Sequence, residues 1–427
     1  MGLRILVVGG GGREHAVVWK LARSARADEV ICAPGNAGIA ALAECVPIPG
    51  TDLDGLVALA VDRTVDLVVV GPEEPLAAGL ADRLTAAGIP VAGHSAAAAR
   101  IESSKAWAKE VMAAAKIPTA RSIAVTDQES GLRAIDEIGN GGPVVIKADG
   151  LAAGKGVTVA ADRREAVAAL GSIMLNRVYG AAGSTVVVEE FLAGQEVSIL
   201  ALTDGTTIRV LAPACDHKRA FDGDMGPNTG GMGVYSPTRR IDDALLGTIH
   251  EDILAPTVRE MADRHTPLRG VLYAGLVLTE DGPKVIEFNA RFGDPETQVV
   301  LPTMDGDLAE LLQGVALGTL ADTPEPTHTG HAVGVALASG GYPGSYPTGF
   351  PIHGLDGVGD LEDVIVFHAG TRRGDDGTIV TSGGRVLTVV GLGSDLRTAH
   401  DRAYAAAEAI TFEGRWFRTD IAHRELG

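Results

Sequence analysis

The sequence predicts a multidomain protein of mixed α/β and α+β class, and three observations predict it. Short apolar runs ending in glycine alternate with amphipathic stretches over residues 3–93. A central region then sets strand-like segments around long glycine-rich stretches. The proline-rich piece Thr323-Pro324-Glu325-Pro326 separates that region from a third one rich in valine and glycine. With 427 residues, 46% of them hydrophobic, the chain can bury several cores.

In the first region, strands at 5–8 and 66–70 and helices at 15–21 and 76–87 follow one another as βα units, which predicts a small doubly wound parallel sheet. A helix starts near Ser103, because a serine hydroxyl can accept from the unpaired amides of a first turn, and it runs through Trp107 towards Pro118. The first domain boundary falls there. Strands at 143–148, 156–160 and 185–191 come next, then a glycine-rich loop over 216–237 and a helix over 243–264. Strands at 271–278 and 284–289 turn about Glu280-Asp281-Gly282. Past the linker, strands at 333–338 and 385–390 and an alanine-rich helix over 397–410 form a C-terminal α+β domain.

The 36 basic and 55 acidic residues give a formal charge of -19, which disfavours nucleic acid and anionic membranes as partners and leaves small metabolites. Cys32, Cys45 and Cys215 are odd in number and lack metal or disulfide spacing, so a reducing compartment fits. The chain enters a strand pattern near its start and holds no apolar run of about 18 residues. The expectation is a cytoplasmic protein without signal peptide or membrane span.

Two nucleotide motifs are approached and missed. Gly9-Gly10-Gly11-Gly12-Arg13-Glu14-His15 follows a strand, but a dinucleotide fingerprint needs a third glycine where Glu14 or His15 stands, and no acid closes the second strand at Ala33-Pro34. Two alternatives remain: a tight turn whose glycines serve packing, or a phosphate seat of helix N-terminal amides with Arg13 beside it. The stretch from Gly150 to Gly156 is similar to a Walker loop. Yet Asp149 replaces its first glycine, Gly156 replaces its Ser or Thr, and it joins two strands instead of a strand and a helix. A hairpin carrying Gly154, Lys155 and Gly156 suits a flap that closes over a triphosphate, and a plain turn needs less glycine.

Lys147 lies inside the strand before this flap, where it either snorkels outward or meets an anion; beside the flap the anion is favoured. The run Glu189-Glu190-Phe191-Leu192-Ala193-Gly194-Gln195-Glu196 is a strand entering an apolar connector that can sandwich a base, with Glu196 accepting ribose hydroxyls or remaining a solvated acid. In the strand that follows Val285, a period of two puts Glu287, Asn289 and Arg291 on one face and Ile286 and Phe288 on the other. Two hard oxygen donors suit magnesium held against phosphates, and the arginine suits a carboxylate or acyl-phosphate oxygen. A polar solvent face on an edge strand is the competing account, and the rigid turn Gly293-Asp294-Pro295 speaks against it.

Lysine strand, glycine flap, apolar connector and Glu-Phe-Asn strand, in that order, resemble an ATP-grasp domain. GGREHA at 11–16, PGNAG at 34–38, VGPEEPL at 70–76, VIKADGLAAGKGV at 145–157, DHKR at 216–219, GPNTGGMGVYSP at 226–237 and EFNARFGDPETQ at 287–298 narrow this. Together they resemble the phosphoribosylamine-glycine ligase family over essentially the whole chain. The resemblance implies a Rossmann-like N-terminal domain at 1–103, an ATP-grasp domain at 104–322 with a mobile lid near 119–190, and a small α+β domain at 328–427. It implies ATP-dependent, ADP-forming ligation of glycine to 5-phosphoribosylamine through glycyl phosphate, in purine biosynthesis, by a monomer using Mg2+ or Mn2+.

Residue by residue, the resemblance implies Lys105 and Lys147 on phosphates beneath the flap of Gly154, Lys155 and Gly156. It implies Glu189, Glu190, Leu192 and Glu196 around the adenosine, Glu287 and Asn289 on the metal, and Arg291 near the carboxyl being activated. Asp216, Lys218, Gly230 and Gly231 become walls for glycine and the acyl phosphate, His217 a weak base candidate, and Gly12, Arg13, Asn36, Glu73 and Asp294 the contacts of phosphoribosylamine. One position departs: where the family has asparagine between the first two glycines of the opening loop, this chain has Gly10. A carboxylase of the same fold, dependent on bicarbonate, is the enzymatic alternative. A nucleotide-sensing protein without turnover is the other, and intact Lys147, Glu287 and Asn289 speak against it.

Overall fold

The computed structural model describes residues 2–151, 156–176 and 183–426. Leu3–Gly9 is the centre of a five-stranded sheet ordered Glu44–Cys45, Ala27–Pro34, Leu3–Gly9, Leu67–Val70, Val91–Ala92, with every pair parallel. Ile5, Leu6, Val7 and Val8 are all fully buried, as a parallel strand covered on both faces requires. The chain leaves Leu3–Gly9 for a neighbour on one side and comes back as Leu67–Val70 on the other. An open α/β sheet takes its ligand in the crevice at such a switch point, here between Gly9 and Gly71. The helix expected at 76–87 is two, Glu73–Ala77 and Leu80–Ala86, because Gly79 turns the chain between them at φ 88°.

Ser95 and Ser104 cap the next helices, Ala96–Ser103 and Lys105–Ala114, accepting from the amides of Ala98 and Trp107 at 3.2 Å each. The helix expected near Ser103 therefore begins at Lys105. A four-stranded antiparallel sheet follows, ordered Ser122–Val125, Val186–Glu190, Val144–Ala148, Val157–Ala160, with helices Gln128–Gly139 and Arg163–Met174 packed on it. Its apolar cluster is separate from the two clusters that run through the rest of the molecule.

The central sheet is Ile208–Val210, Gln195–Thr203, Gly270–Thr279, Gly282–Asn289. Its last strand carries a bulge: Glu287 pairs with Gly275 and Val285 with Leu276, leaving Ile286 extra. The expected alternation breaks there. Val285 and Phe288 enter the core, whereas Ile286, expected opposite Glu287, lines the same cavity as Glu287.

The segment 216–237 is not one loop. Cys215–Asp216 and Gly233–Ser236 complete the C-terminal sheet beside His331–Ala338, Arg385–Gly393 and Val364–His368, and Arg219–Phe221 pairs with Met225–Asn228. Glycine content and partners far along the chain conceal these strands in the sequence. Among the described residues no helix is long and apolar enough to cross a membrane.

Candidate functional site

A cavity of about 440 Å³ is lined by residues of all four larger sheets or the loops that leave them. Lys105, Lys147, Gly156, Glu189, Glu190, Leu192 and Glu196 line it from the capped helix, the four-stranded sheet and its connector. Glu287, Asn289 and Arg291 line it from the bulged strand, Asp216, Lys218 and Gly230 from the hairpin region, and Arg13, Glu73 and Asp294 from the N-terminal side. Gly154 and Lys155 lie outside the described residues. Gly12, Asn36, His217 and Gly231 do not line it.

Burial works against ionisation of Glu287, but Lys218, Lys147, Lys105 and Arg291 outweigh it and hold the carboxyl below its ordinary range. Asn289 is buried; its Oδ1 accepts from Arg291 Nη2 at 3.2 Å, and its Nδ2 has no partner among the described residues. A carboxylate kept ionised and an amide oxygen close by match the preference of a divalent cation for hard oxygen. Among the described residues no group of three or more His, Cys, Asp or Glu could hold a metal alone, so a cation here would need further oxygens from a bound molecule.

Lys147 is 2% exposed, pairs with Glu189 Oε2 at 2.8 Å and donates to the carbonyl of Ile286 at 3.0 Å. Glu189 is itself buried, and its other oxygen lies 3.5 Å from Lys109 Nζ. Lys105 donates to the carbonyl of Gly150 at 3.1 Å; burial lowers its pKa although Glu287 pulls the other way. Opposite them, burial pushes the Asp216 carboxyl up to about 7 against the attraction of Lys218, with Glu296, Glu196 and Glu287 adding to the rise. Lys218 sits 2.8 Å from Glu196, and its pKa is raised because Glu196 and Asp216 overcome its burial. The oxygens of Ser198, Tyr273 and Glu296 form a buried triangle with edges of 2.9 Å, in which both hydroxyls donate to Glu296 Oε1. His217 turns away: its Nε2 accepts from the amide of Ala422 at 3.1 Å, a structural tie to the C-terminal segment.

At the N-terminal side Arg291 is clasped by Glu102 at 2.9 Å and Glu73 at 3.3 Å. Burial opposes the charge of Glu73, but Arg291 and Arg13 hold its pKa below the ordinary value. Arg13 donates to the carbonyl of Phe292 at 3.1 Å and pairs with Glu14. Glu14 in turn accepts from the amide of Gly11 at 2.6 Å, so an internal carboxylate already occupies that amide at the head of helix Gly12–Leu21. Asn36 is equally engaged: its Nδ2 donates to the carbonyls of Gly10 at 2.9 Å and His368 at 2.7 Å, while its Oδ1 accepts from the amides of Gly38 and Ile39.

Glu102, Lys109, Tyr273, Glu296 and Arg385 also line the cavity, and sequence reasoning missed them. Lys109 stands one turn from Lys105 on the same helix face, a signal that was legible. Arg385 reaches in from the C-terminal sheet to the carbonyl of Asp294 at 3.1 Å and its carboxylate at 3.1 Å. Nothing local in the sequence marks it.

Family models described as phosphoribosylglycinamide synthetase match the chain in three parts: the N domain at residues 3–102, the ATP-grasp (A) domain at 103–297 and the C domain at 332–424. The phosphoribosylamine-glycine ligase of Caulobacter vibrioides is 49% identical over 99% of both chains, and that of Streptomyces coelicolor is 50% identical over 100% of both. A crystal structure of the phosphoribosylamine-glycine ligase from Thermotoga maritima matches with a TM-score of 0.84 at 33% identity, covering 98% of this chain and 100% of that one. Matched in all three domains and along nearly its full length, the chain belongs to the phosphoribosylglycinamide synthetase family.

Proposed function

We propose that the chain ligates glycine to 5-phosphoribosylamine with ATP, yielding glycinamide ribonucleotide, ADP and phosphate. Family membership supports this, and one observation carries it further: a single cavity is lined by a cation-flanked Glu287, by buried lysines, and by an acid cluster around Asp216. A ligase that must hold a triphosphate beside an amino acid needs those two environments in contact. We read residues 1–103, 104–322 and 328–427 as the substrate, nucleotide and closing domains, with 119–190 as a lid. We read the protein as a monomer that works in the cytoplasm.

The glycine carboxylate attacks the γ-phosphorus of ATP and expels ADP, forming glycyl phosphate. The amino nitrogen of phosphoribosylamine then attacks the acyl carbon, phosphate leaves and the nitrogen gives up a proton. No protein nucleophile is required, so the side chains act by alignment and charge neutralisation. Lys105 and Lys147 meet the phosphates, Glu190 and Leu192 frame the adenine, and Glu196 meets the ribose. Glu189 acts one step back, holding Lys147. Glu287 and Asn289 would hold Mg2+ or Mn2+, which when bound neutralises phosphate charge. Asp216 faces the glycine ammonium, Arg291 the carboxyl under activation, and Lys218 with Gly230 the acyl phosphate. Glu73, with Arg13 and Asp294 behind it, meets phosphoribosylamine.

The test follows ADP release with glycine and freshly made phosphoribosylamine omitted in turn. Turnover should need both. AMP and pyrophosphate among the products, or dependence on bicarbonate, would refute the proposal.

A further inference from the structure

The sheet that spans Ser122–Val125 to Val186–Glu190 joins the rest of the molecule through two crossings, one entering at 118–121 and one leaving at 191–194. The entering crossing and the end of the departing strand are tied to one side chain outside the sheet. Lys109 lies on helix Lys105–Ala114, which packs on helices Ala96–Ser103 and Ala255–Asp263 of the body. Its Nζ donates to Thr119 Oγ1 at 2.8 Å and to the carbonyl of Ala120 at 3.0 Å, both in the entering crossing, and lies 3.5 Å from Glu189 Oε1 at the end of the departing strand. Two of the ammonium's three donors are thus hydrogen-bonded in the entering crossing, and its charge faces the Glu189 carboxylate at ion-pair distance.

Two chains of bonds leave this ammonium. Thr119 Oγ1 donates onward to the carbonyl of Val285 at 2.6 Å. Glu189 holds Lys147 at 2.8 Å, and Lys147 donates to the carbonyl of Ile286 at 3.0 Å. The two chains end on adjacent carbonyls at the bulge, immediately before Glu287. We propose that Lys109 is a positioning residue: it pins both hinges of the nucleotide lid and thereby sets Lys147 and the bulged strand that carries Glu287. This rests on the proposed reading of 119–190 as a lid over ATP.

Packing alone does not account for a lysine at this depth. Its side chain is 11% exposed and that of Glu189 4%, where an apolar residue of similar volume would avoid the desolvation. Burial draws the ammonium down to about 8 despite Glu189, so the site holds a charge at a cost that only directional bonds justify.

The test compares Lys109→Met and Thr119→Val with the parent protein, first by hydrogen exchange without ligands. Lys109→Met should speed exchange at 119–121 and 190–194 by about tenfold or more and leave the N-terminal sheet unchanged. Thr119→Val should loosen the entering crossing alone, and it keeps the proposal open to test if the first variant does not fold. Calorimetry with MgATP, without glycine or phosphoribosylamine, should then show affinity down about tenfold for Lys109→Met and about threefold for Thr119→Val. Faster exchange across the whole molecule, or unchanged exchange at both crossings, would overturn the pin. So would ATP affinity within about twofold of the parent in Lys109→Met. Parent protein that binds no ATP would defeat the ligase reading instead, and exchange alone would then decide the pin.

Discussion

The two ends of the cavity use motif residues in opposite ways. Towards the proposed nucleotide, Glu287 acts on Lys105 and on Lys218 across the cavity that all three line, and each lysine perturbs its ionisation in return. In the N-terminal loops the polar motif residues are engaged with backbone groups, near and far along the chain: Glu14 with Gly11, Arg13 with Phe292, and Asn36 with Gly10, His368, Gly38 and Ile39. Residue type thus announces chemistry only where bonding capacity still faces the cavity. In GGREHA and PGNAG much of that capacity builds the loops, and Glu73 is the partly open carboxylate at that end.

The sharpest way to break this contrast is to strike one residue at each end. Glu287→Gln keeps shape and removes the charge that balances three lysines, so turnover should fall by about two orders of magnitude in a folded protein. Steady-state kinetics at low and high magnesium decide this, and parental turnover at low magnesium would return Glu287 to an ordinary polar strand residue. Asn36→Ala should act differently. It removes partners from two carbonyls and two amides, so unfolding free energy should drop by about 2 kcal/mol while KM for glycine and ATP holds. A large rise in KM for phosphoribosylamine without loss of stability would make Asn36 a substrate contact after all.

The parallel sheet and the strand of Glu287 were legible because apolar periodicity and local motifs dictate them. The bulge at Ile286 was not, because it depends on Gly275 in the partner strand and not on the sequence around Ile286. The strand Gly233–Ser236 was hidden for a similar reason: its partner, His331–Ala338, follows only after the intervening residues 237–330. Among site residues, Lys109 was within reach through its helical spacing from Lys105. Arg385, Glu102 and the triangle of Ser198, Tyr273 and Glu296 come together only by tertiary packing. Asn36 marks the converse limit, since a motif position with the right chemistry has its amide engaged by backbone groups of Gly10, His368, Gly38 and Ile39.

Asp216 sharpens the contrast by pH. In the folded protein its carboxyl is pushed up to about 7, so below that value it is neutral and cannot attract an ammonium. The kcat/KM for glycine, which reports free enzyme, should therefore rise with pH through about 7 and then level off. Asp216→Asn should flatten that rise and lower the upper plateau by about tenfold. Stability runs the other way: the folded state holds this proton more tightly than the unfolded chain, so the contribution is present at low pH and is lost as pH rises through about 7. A pH profile unchanged in Asp216→Asn would remove Asp216 from glycine recognition.

The smallest effect concerns Gly10, the position at which the opening loop departs from the expected pattern. A Cβ at this position would lie 2.5 Å from the carbonyl oxygen of Gly35 and 3.1 Å from its carbon, both backbone atoms. Gly35 has little room to retreat, because its amide donates to Gly9 at 3.1 Å and a Cβ on it would meet Cys45 Sγ at 2.3 Å. The two loops therefore approach more closely here than a side chain permits, and Asn36 clamps them by donating to the carbonyl of Gly10 itself. Gly10→Ala should cost about 1 kcal/mol of stability, read as a lower midpoint in urea, with little change in turnover because Gly10 does not line the cavity. Combined with Asn36→Ala, the loss should be less than additive, since both changes release the same contact. Full additivity, or a Gly10→Ala protein as stable as its parent, would mean that the loops part without penalty and that the glycine stands there for a reason other than their close approach.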